Sequence, residues 1–328
     1  MKQKITKVFK FIVFLALGIA IFWLVYRDQD TDRIITILKN DVNYWWIIIA
    51  LVLGLLSHIS RTLRWNLMIE PLGKKPRLLN TFLAVMVGYL MNFVLPRMGE
   101  ISRCGVLSRY EKISFTKLIG TVVTERLVDM VMLLLFLVIV IFTQFGKVLH
   151  IVKNNPELEQ RLYGIILSPY LFAGIVLIIL VIWVCRGRIR ETRAFKKLAG
   201  FMNQFAEGFR SIRNMKNKWA FVGHSLFIWL MYYLMLYVVF FAFDFTSGLS
   251  ALAGLTTFVI GSFGMVAPVQ GGIGAWHFMT IEALSLYGIE KADGTIFALL
   301  SHSSTTAMLI VMGLAALLAL PFVNRRAE

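Results

Sequence analysis

Apolar residues fall in long uncharged blocks at 11–26, 44–60, 78–96, 162–185, 219–243, 245–281 and 295–324. An eighth block, 118–143, is apolar except for Glu125, Arg126 and Asp129. About 20 helical residues cross a hydrocarbon core of about 30 Å, so several of these blocks reach spanning length. Two of them are interrupted in a similar way. The first break reads Asn92-Phe93-Val94-Leu95-Pro96-Arg97-Met98-Gly99-Glu100, and the second Val266-Ala267-Pro268-Val269-Gln270-Gly271-Gly272-Ile273-Gly274. Each places a glycine three residues after a proline. Paired Gly/Pro interruptions at corresponding places in two halves of a chain point to a membrane transporter's substrate site.

Composition supports the membrane reading. Of 328 residues, 58% are apolar and only 16% are charged, too little polar surface for a soluble domain. The expected class is an all-α polytopic membrane protein forming a single domain over 1–328. The 34 basic and 18 acidic residues give a net charge of +16. No nucleic-acid recognition module accompanies this charge, so nucleic acid is not an expected partner. The basic residues instead cluster between apolar blocks, as the positive-inside rule describes. Residues 186–218 carry ten basic residues against Glu191 and Glu207. The basic start and the 11–26 block resemble a signal peptide. Cleavage after Ala20 would leave a strongly apolar new terminus, so an uncleaved first span is the expectation.

Loop charge then sets the threading. If every block crossed once from a cytoplasmic amino terminus, the 186–218 segment would lie outside, against the charge rule. The conflict disappears if 78–96 enters from the cytoplasm and turns back at Pro96, leaving 97–117 cytoplasmic. The 245–281 block is long for one span and short for two. It suits a hairpin dipping in from outside with Pro268–Gly274 at its tip. The prediction is six full spans plus two re-entrant helical hairpins in an inverted-topology repeat, with pseudo-repeat halves 1–143 and 162–328. The competing reading is two ordinary spans kinked by proline. Cys104 and Cys185 both fall on the cytoplasmic side, so no disulfide is expected. A further apolar stripe, Leu198, Phe201, Met202, Phe205, Phe209 and Ile212, suggests a helix in the cytoplasmic interface.

The charged residues of the apolar blocks carry the candidate chemistry. Glu125 and Asp129 are one helical turn apart, with Arg126 nearby. A lone charge at the bilayer centre costs at least about 2.5–3.5 kcal/mol, so these groups should face the bundle and find partners. Arg97, Glu100 and Arg103 at the first break are the expected partners. Guanidinium forks match phosphate oxygens, so Arg97 and Arg103 suggest an anionic ligand. His58, Arg61 and Trp65 share a face at the end of the second span, with Arg64 beside it. Ordinary interfacial anchoring accounts equally well for Arg61 and Arg64. In the second break, Gly271, Gly272 and Gly274 permit close backbone approach, with Gln270 and His277 nearby. The 219–243 block is rich in aromatics and forms either one wall of an acyl groove or ordinary packing. There is no H-E-x-x-H, no P-loop and no Cys/His metal cluster; no enzyme activity, cofactor or metal is expected.

Taken together, Arg61-Thr62-Leu63-Arg64-Trp65, Gly88-Tyr89 through Asn92, Pro96-Arg97-Met98-Gly99-Glu100 with Arg103, Glu125 through Asp129, and Pro268 through Gly274 resemble a known family. It is the flippase-like membrane domain of the lysylphosphatidylglycerol synthase transmembrane family. The resemblance implies movement of a lipid between leaflets, here of a bacterial inner membrane, and the loop charge puts both termini on the cytoplasmic side. The soluble aminoacyl-transferase domain of the synthases is not in this sequence, so synthase activity does not carry over. The expected substrate is an anionic or prenyl-phosphate lipid, held by the residues above, with membrane lipids as partners. Two alternatives remain: a non-catalytic partner of an envelope-lipid or glycan biosynthesis enzyme, and a secondary transporter of small anions.

Overall fold

The computed structural model describes residues 16, 18–27, 29–95, 97–153, 215–267 and 269–325, of which 145–153 by backbone alone. Pro96, Pro268, the 162–185 block, Cys185, the basic run 186–213 and the 198–212 stripe lie outside the described residues. The described chain is helical: α1 (18–26), α2 (Thr31–Asn40), α3 (Tyr44–Ile69), α4 (Leu78–Val94), α5 (Met98–Glu111) and α6 (Phe115–Lys153). After the undescribed segment come α7 (Lys218–Val239), the single turn α8 (Asp244–Ser247), α9 (Ala251–Val266), α10 (Ala275–Ser285) and α11 (Lys291–Val323). Starts are set by local chemistry. The Asn43 side chain accepts from Trp45 N–H to open α3, and the Ser250 side chain accepts from Ala253 N–H to open α9.

Four of these helices are long and apolar enough to cross a membrane: Tyr44–Leu72, Phe115–Gln144, Lys218–Ala242 and Lys291–Val323. Their exposure pattern is the reverse of a soluble protein's. Phe142 is 78% exposed and Leu318 70% exposed, while Arg64 and Glu125 are fully buried. Charged residues are almost never fully buried in water-soluble folds unless paired. An apolar exterior around a polar interior is what a hydrocarbon solvent demands.

Both interrupted blocks reverse direction. In the first, Asn80 at the start of α4 bonds Glu111 at the end of α5, and Asn92 near the end of α4 accepts from Gly99 N–H near the start of α5. In the second, Gly261 and Gly264 of α9 face Trp276 and Thr280 of α10. These are antiparallel helical hairpins, so the kinked-helix reading is set aside. One detail is corrected: the residues after 97 do not remain beyond the helices as a basic loop. They form α5, which returns along α4. Close packing is possible because the crossing points are glycines. A Cβ on Gly99 would strike the Gly88 carbonyl and sit 2.6 Å from the Asn92 side chain. Gly99→Ala is therefore expected to cost about 1–3 kcal/mol as an overpacked contact, read as a lowered thermal midpoint of the purified protein.

The order long helix, hairpin, long helix occurs twice, as α3, α4–α5, α6 and as α7, α9–α10, α11. The helices that open each set, α3 and α7, lie side by side and antiparallel. Ser60 contacts His224 at 2.9 Å near one end, and Asn43 N–H donates to the Ala242 carbonyl at the other. Hairpin α4–α5 packs on α11, where Gly313 admits Leu90. Hairpin α9–α10 meets α6 through the Phe136 and Phe258 rings, 5.9 Å apart. The tips of the two hairpins touch each other, Phe93 lying against Gly271.

Candidate functional site

Glu125 is the hub of a buried charge cluster between α3, α5 and α6. One carboxylate oxygen accepts from Arg61 and lies 3.2 Å from Arg64, and the other accepts from Arg103 at 2.9 Å. One turn further, Asp129 accepts from Arg64 at 2.8 Å and from Arg61 at 3.2 Å. The spacing of four places both carboxylates on one side of α6, and the spacing of three in α3 brings both guanidiniums to meet them. All five side chains are buried. Three guanidiniums against two carboxylates leave one positive charge in excess. Aromatic and hydroxyl groups frame the cluster: the Arg103 guanidinium lies 4.6 Å from the Trp65 ring, and Trp65 Nε1 donates to Thr121.

This corrects two expectations. Arg61 and Arg64 are not interfacial anchors; they are the main partners of Glu125 and Asp129. Arg97 is not a partner at all. It caps α5 in the left-handed region at φ 63°, with an exposed side chain that makes no hydrogen bond or ion pair among the described residues. Glu100, like Arg103, is a partner as expected: it pairs with Arg126 at 2.8 Å, joining α5 to α6 at a half-exposed position.

Beside the cluster is a small recess lined by Arg61, Val85, Gly88, Tyr89, Asn92, Gly99, Glu100, Arg103 and Arg126. Three guanidiniums therefore border one space. The Nε atom of Arg61 and one oxygen of Glu100 are buried without a partner among the described residues. His58, which the sequence places on one face with Arg61 and Trp65, is buried next to it. Its ring lies 4.5 Å from Tyr89, and neither ring nitrogen has a partner among the described residues. The hydroxyl of Tyr89 meets that of Tyr232 at 3.3 Å. The one signal that pointed here was the shared helical face of His58, Arg61 and Trp65. Tyr232 had none, because its neighbours come from a helix more than 140 residues away.

The second hairpin carries a neutral counterpart. Gly271, Gly272 and Gly274 all have positive φ, where only glycine is free of strain. His302 contacts the Gly271 carbonyl, and Nδ1 of His277 accepts from Gly274 N–H. His277 is held among the rings of Phe22, Tyr26, Trp276 and His302, which fits a structural role. Gln270 is buried with its amide nitrogen unpartnered among the described residues. The aromatic helix α7 is spent largely on packing: Phe221, Ile228 and Trp229 are buried, and Tyr233 stacks on Tyr237.

The model of the lysylphosphatidylglycerol synthase TM region family matches residues 11–313, a range that contains every charged residue of the cluster around Glu125. The chain belongs to that family. Among proteins of this type, it is 26% identical to a UPF0104 membrane protein of Methanocaldococcus jannaschii over 97% of this chain and 96% of that one. A UPF0104 membrane protein of Methanothermobacter thermautotrophicus is 21% identical, covering 83% and 84%. No solved structure matches. Membership in the lysylphosphatidylglycerol synthase TM region family and the apolar helices make this a multi-pass membrane protein with a lipid-related setting.

Proposed function

We propose that this protein moves an amphiphilic, phosphate-bearing lipid or polyprenyl-linked intermediate between membrane leaflets. The observation that carries this is a buried excess of positive charge bordering a recess, with Arg97, which has no partner among the described residues, at the tip of the same hairpin. An exposed guanidinium at the tip of a membrane hairpin is costly in lipid unless an anion or water meets it. Phosphate oxygens suit it through parallel N–H donors. In this reading Arg97 captures the headgroup, while Arg61, Arg103 and Arg126 line its path. Gln270 and the Gly271–Gly274 backbone receive its polar part from the second hairpin, and the tails stay in lipid.

The two sets of helices form the halves of an inverted repeat, and the hairpins enter from opposite faces. Lys74, Lys75, Arg77, Lys112 and Lys117 lie at the end where α4 starts and α11 finishes. Asp30, Asp32, Glu290 and Asp293 lie at the other end. The positive-inside rule makes the first end cytoplasmic, in a bacterial inner membrane with both termini on that side. The test is reconstitution in liposomes with a labelled phospholipid or prenyl phosphate. Translocation should exceed that of protein-free vesicles. Uptake of a soluble anion without lipid movement would instead establish a small-anion transporter, and equal rates in an Arg97→Ala/Glu125→Ala variant would remove the site assignment.

A further inference from the structure

Besides the buried Arg103–Glu125 pair that joins α5 to α6, each hairpin has one contact to the long helix that follows it at a matching place. Arg126 is the twelfth residue of α6 and His302 the twelfth residue of α11. Arg126 reaches Glu100 in the first turn of α5 at 2.8 Å. His302 Nε2 lies 2.9 Å from the Gly271 carbonyl in the turn between α9 and α10. A carbonyl oxygen only accepts, so this ring nitrogen carries the proton.

The two ties differ in chemistry. The first joins opposite charges whose side chains are 47% and 23% exposed, and both residues border the recess. A phosphate oxyanion competes directly with Glu100 for the Arg126 guanidinium, because both bind it through charge-assisted hydrogen bonds. The second is an imidazole N–H on a backbone carbonyl, set against the rings of Trp276 and His277 at 5.3 and 4.6 Å. An anion has no charge there to displace.

We infer that these contacts are separate latches on the two hairpins, and that an anionic headgroup in the recess releases the first by taking Arg126 from Glu100 while the second holds. The inference rests on the anionic-lipid reading above and adds to it a link between occupancy and movement. Alternating access proceeds by gating of one repeat against the other, and separate latches let the two hairpins loosen one at a time. Matching positions with different chemistry provide that separation.

Cys104 is fully buried on α5, one turn from Glu100, and reports opening of the first hairpin. Maleimide labelling would be followed in the Cys185→Ser protein, reconstituted in phosphatidylcholine vesicles. Glu100→Gln and Arg126→Gln should each raise the labelling rate at least tenfold. Arg126→Lys, which keeps the pair, and His302→Gln, which acts on the other hairpin, should leave it slow. Adding phosphatidylglycerol or a prenyl phosphate to the vesicles should raise it as the Gln variants do. Unchanged labelling in both Gln variants, or an equal rise in His302→Gln, overturns the latch. A rise in the Gln variants without any effect of anionic lipid overturns the anion trigger. Translocation measured in the same vesicles shows separately whether the lipid reading falls: lipid that moves while Cys104 stays shielded leaves that reading standing and removes the latch.

Discussion

Glu125→Ala is expected to lower stability by about 3–5 kcal/mol, the usual cost of breaking a buried ion pair by removing one partner. The substitution strands Arg61, Arg64 and Arg103, all of which contact the Glu125 carboxylate. Only Asp129 would remain against them, so the buried charge excess would rise from one to two. The measurement is the thermal midpoint of purified protein in detergent, followed by loss of the monodisperse species. Because three helices converge on this carboxylate, α5 should loosen from α3 and α6, and Cys104 should become reactive at the same time. A midpoint equal to that of wild type would show that the cluster does not hold the first hairpin in place.

Arg97→Gly is expected to act in opposite directions on stability and function. Arg97 occupies the left-handed region at φ 63°, which costs a residue with a Cβ roughly 1–2 kcal/mol. Glycine removes that strain, so the thermal midpoint should rise by an amount corresponding to about 1 kcal/mol. Lipid translocation should nevertheless fall at least tenfold, because the exposed guanidinium at the hairpin tip is lost. Arg97→Lys keeps a charge but loses the fork, so it should keep the strain and recover only part of the rate. A Gly variant that is stabilised and fully active would leave the strained arginine without a role. Strain is retained where the surrounding structure over-determines it, often at functional sites, and this pair of measurements separates the two explanations.

Much of the architecture was legible in the sequence because bilayers impose coarse rules. Block length gave four helices of spanning length among the described residues, and the charge of the intervening segments required the first break to be a reversal. The Asn80–Glu111 and Asn92–Gly99 contacts bear out that reversal in α4–α5. The second reversal followed from a block of awkward length, and Gly261 and Gly264 against Trp276 bear it out. The span boundaries were less secure. The second block was read as ending at residue 60, at the first cation, yet α3 continues to Ile69. Hydropathy treats an arginine as the edge of the membrane, and it has no means of seeing the carboxylates that neutralise it.

The candidate site divides along the same line. The sequence by itself determined that Glu125 and Asp129 share a face of one helix and, being too costly to leave alone in hydrocarbon, must find cations. Helical periodicity and transfer energies suffice for that. Which cations they find was decided by the tertiary structure, through the packing of α3 and α5 against α6. Arg61 and Arg64, legible either as contacts to an anionic ligand or as interfacial anchors, became the buried partners, and Arg97, legible as a partner, meets neither carboxylate among the described residues. The Gly88–Gly99 contact fixes how deep α5 sits beside α4, and therefore which arginine of the first hairpin reaches Glu125. Such depth is set by steric contact between two helices once they are packed, and the periodicity of either helix alone does not encode it.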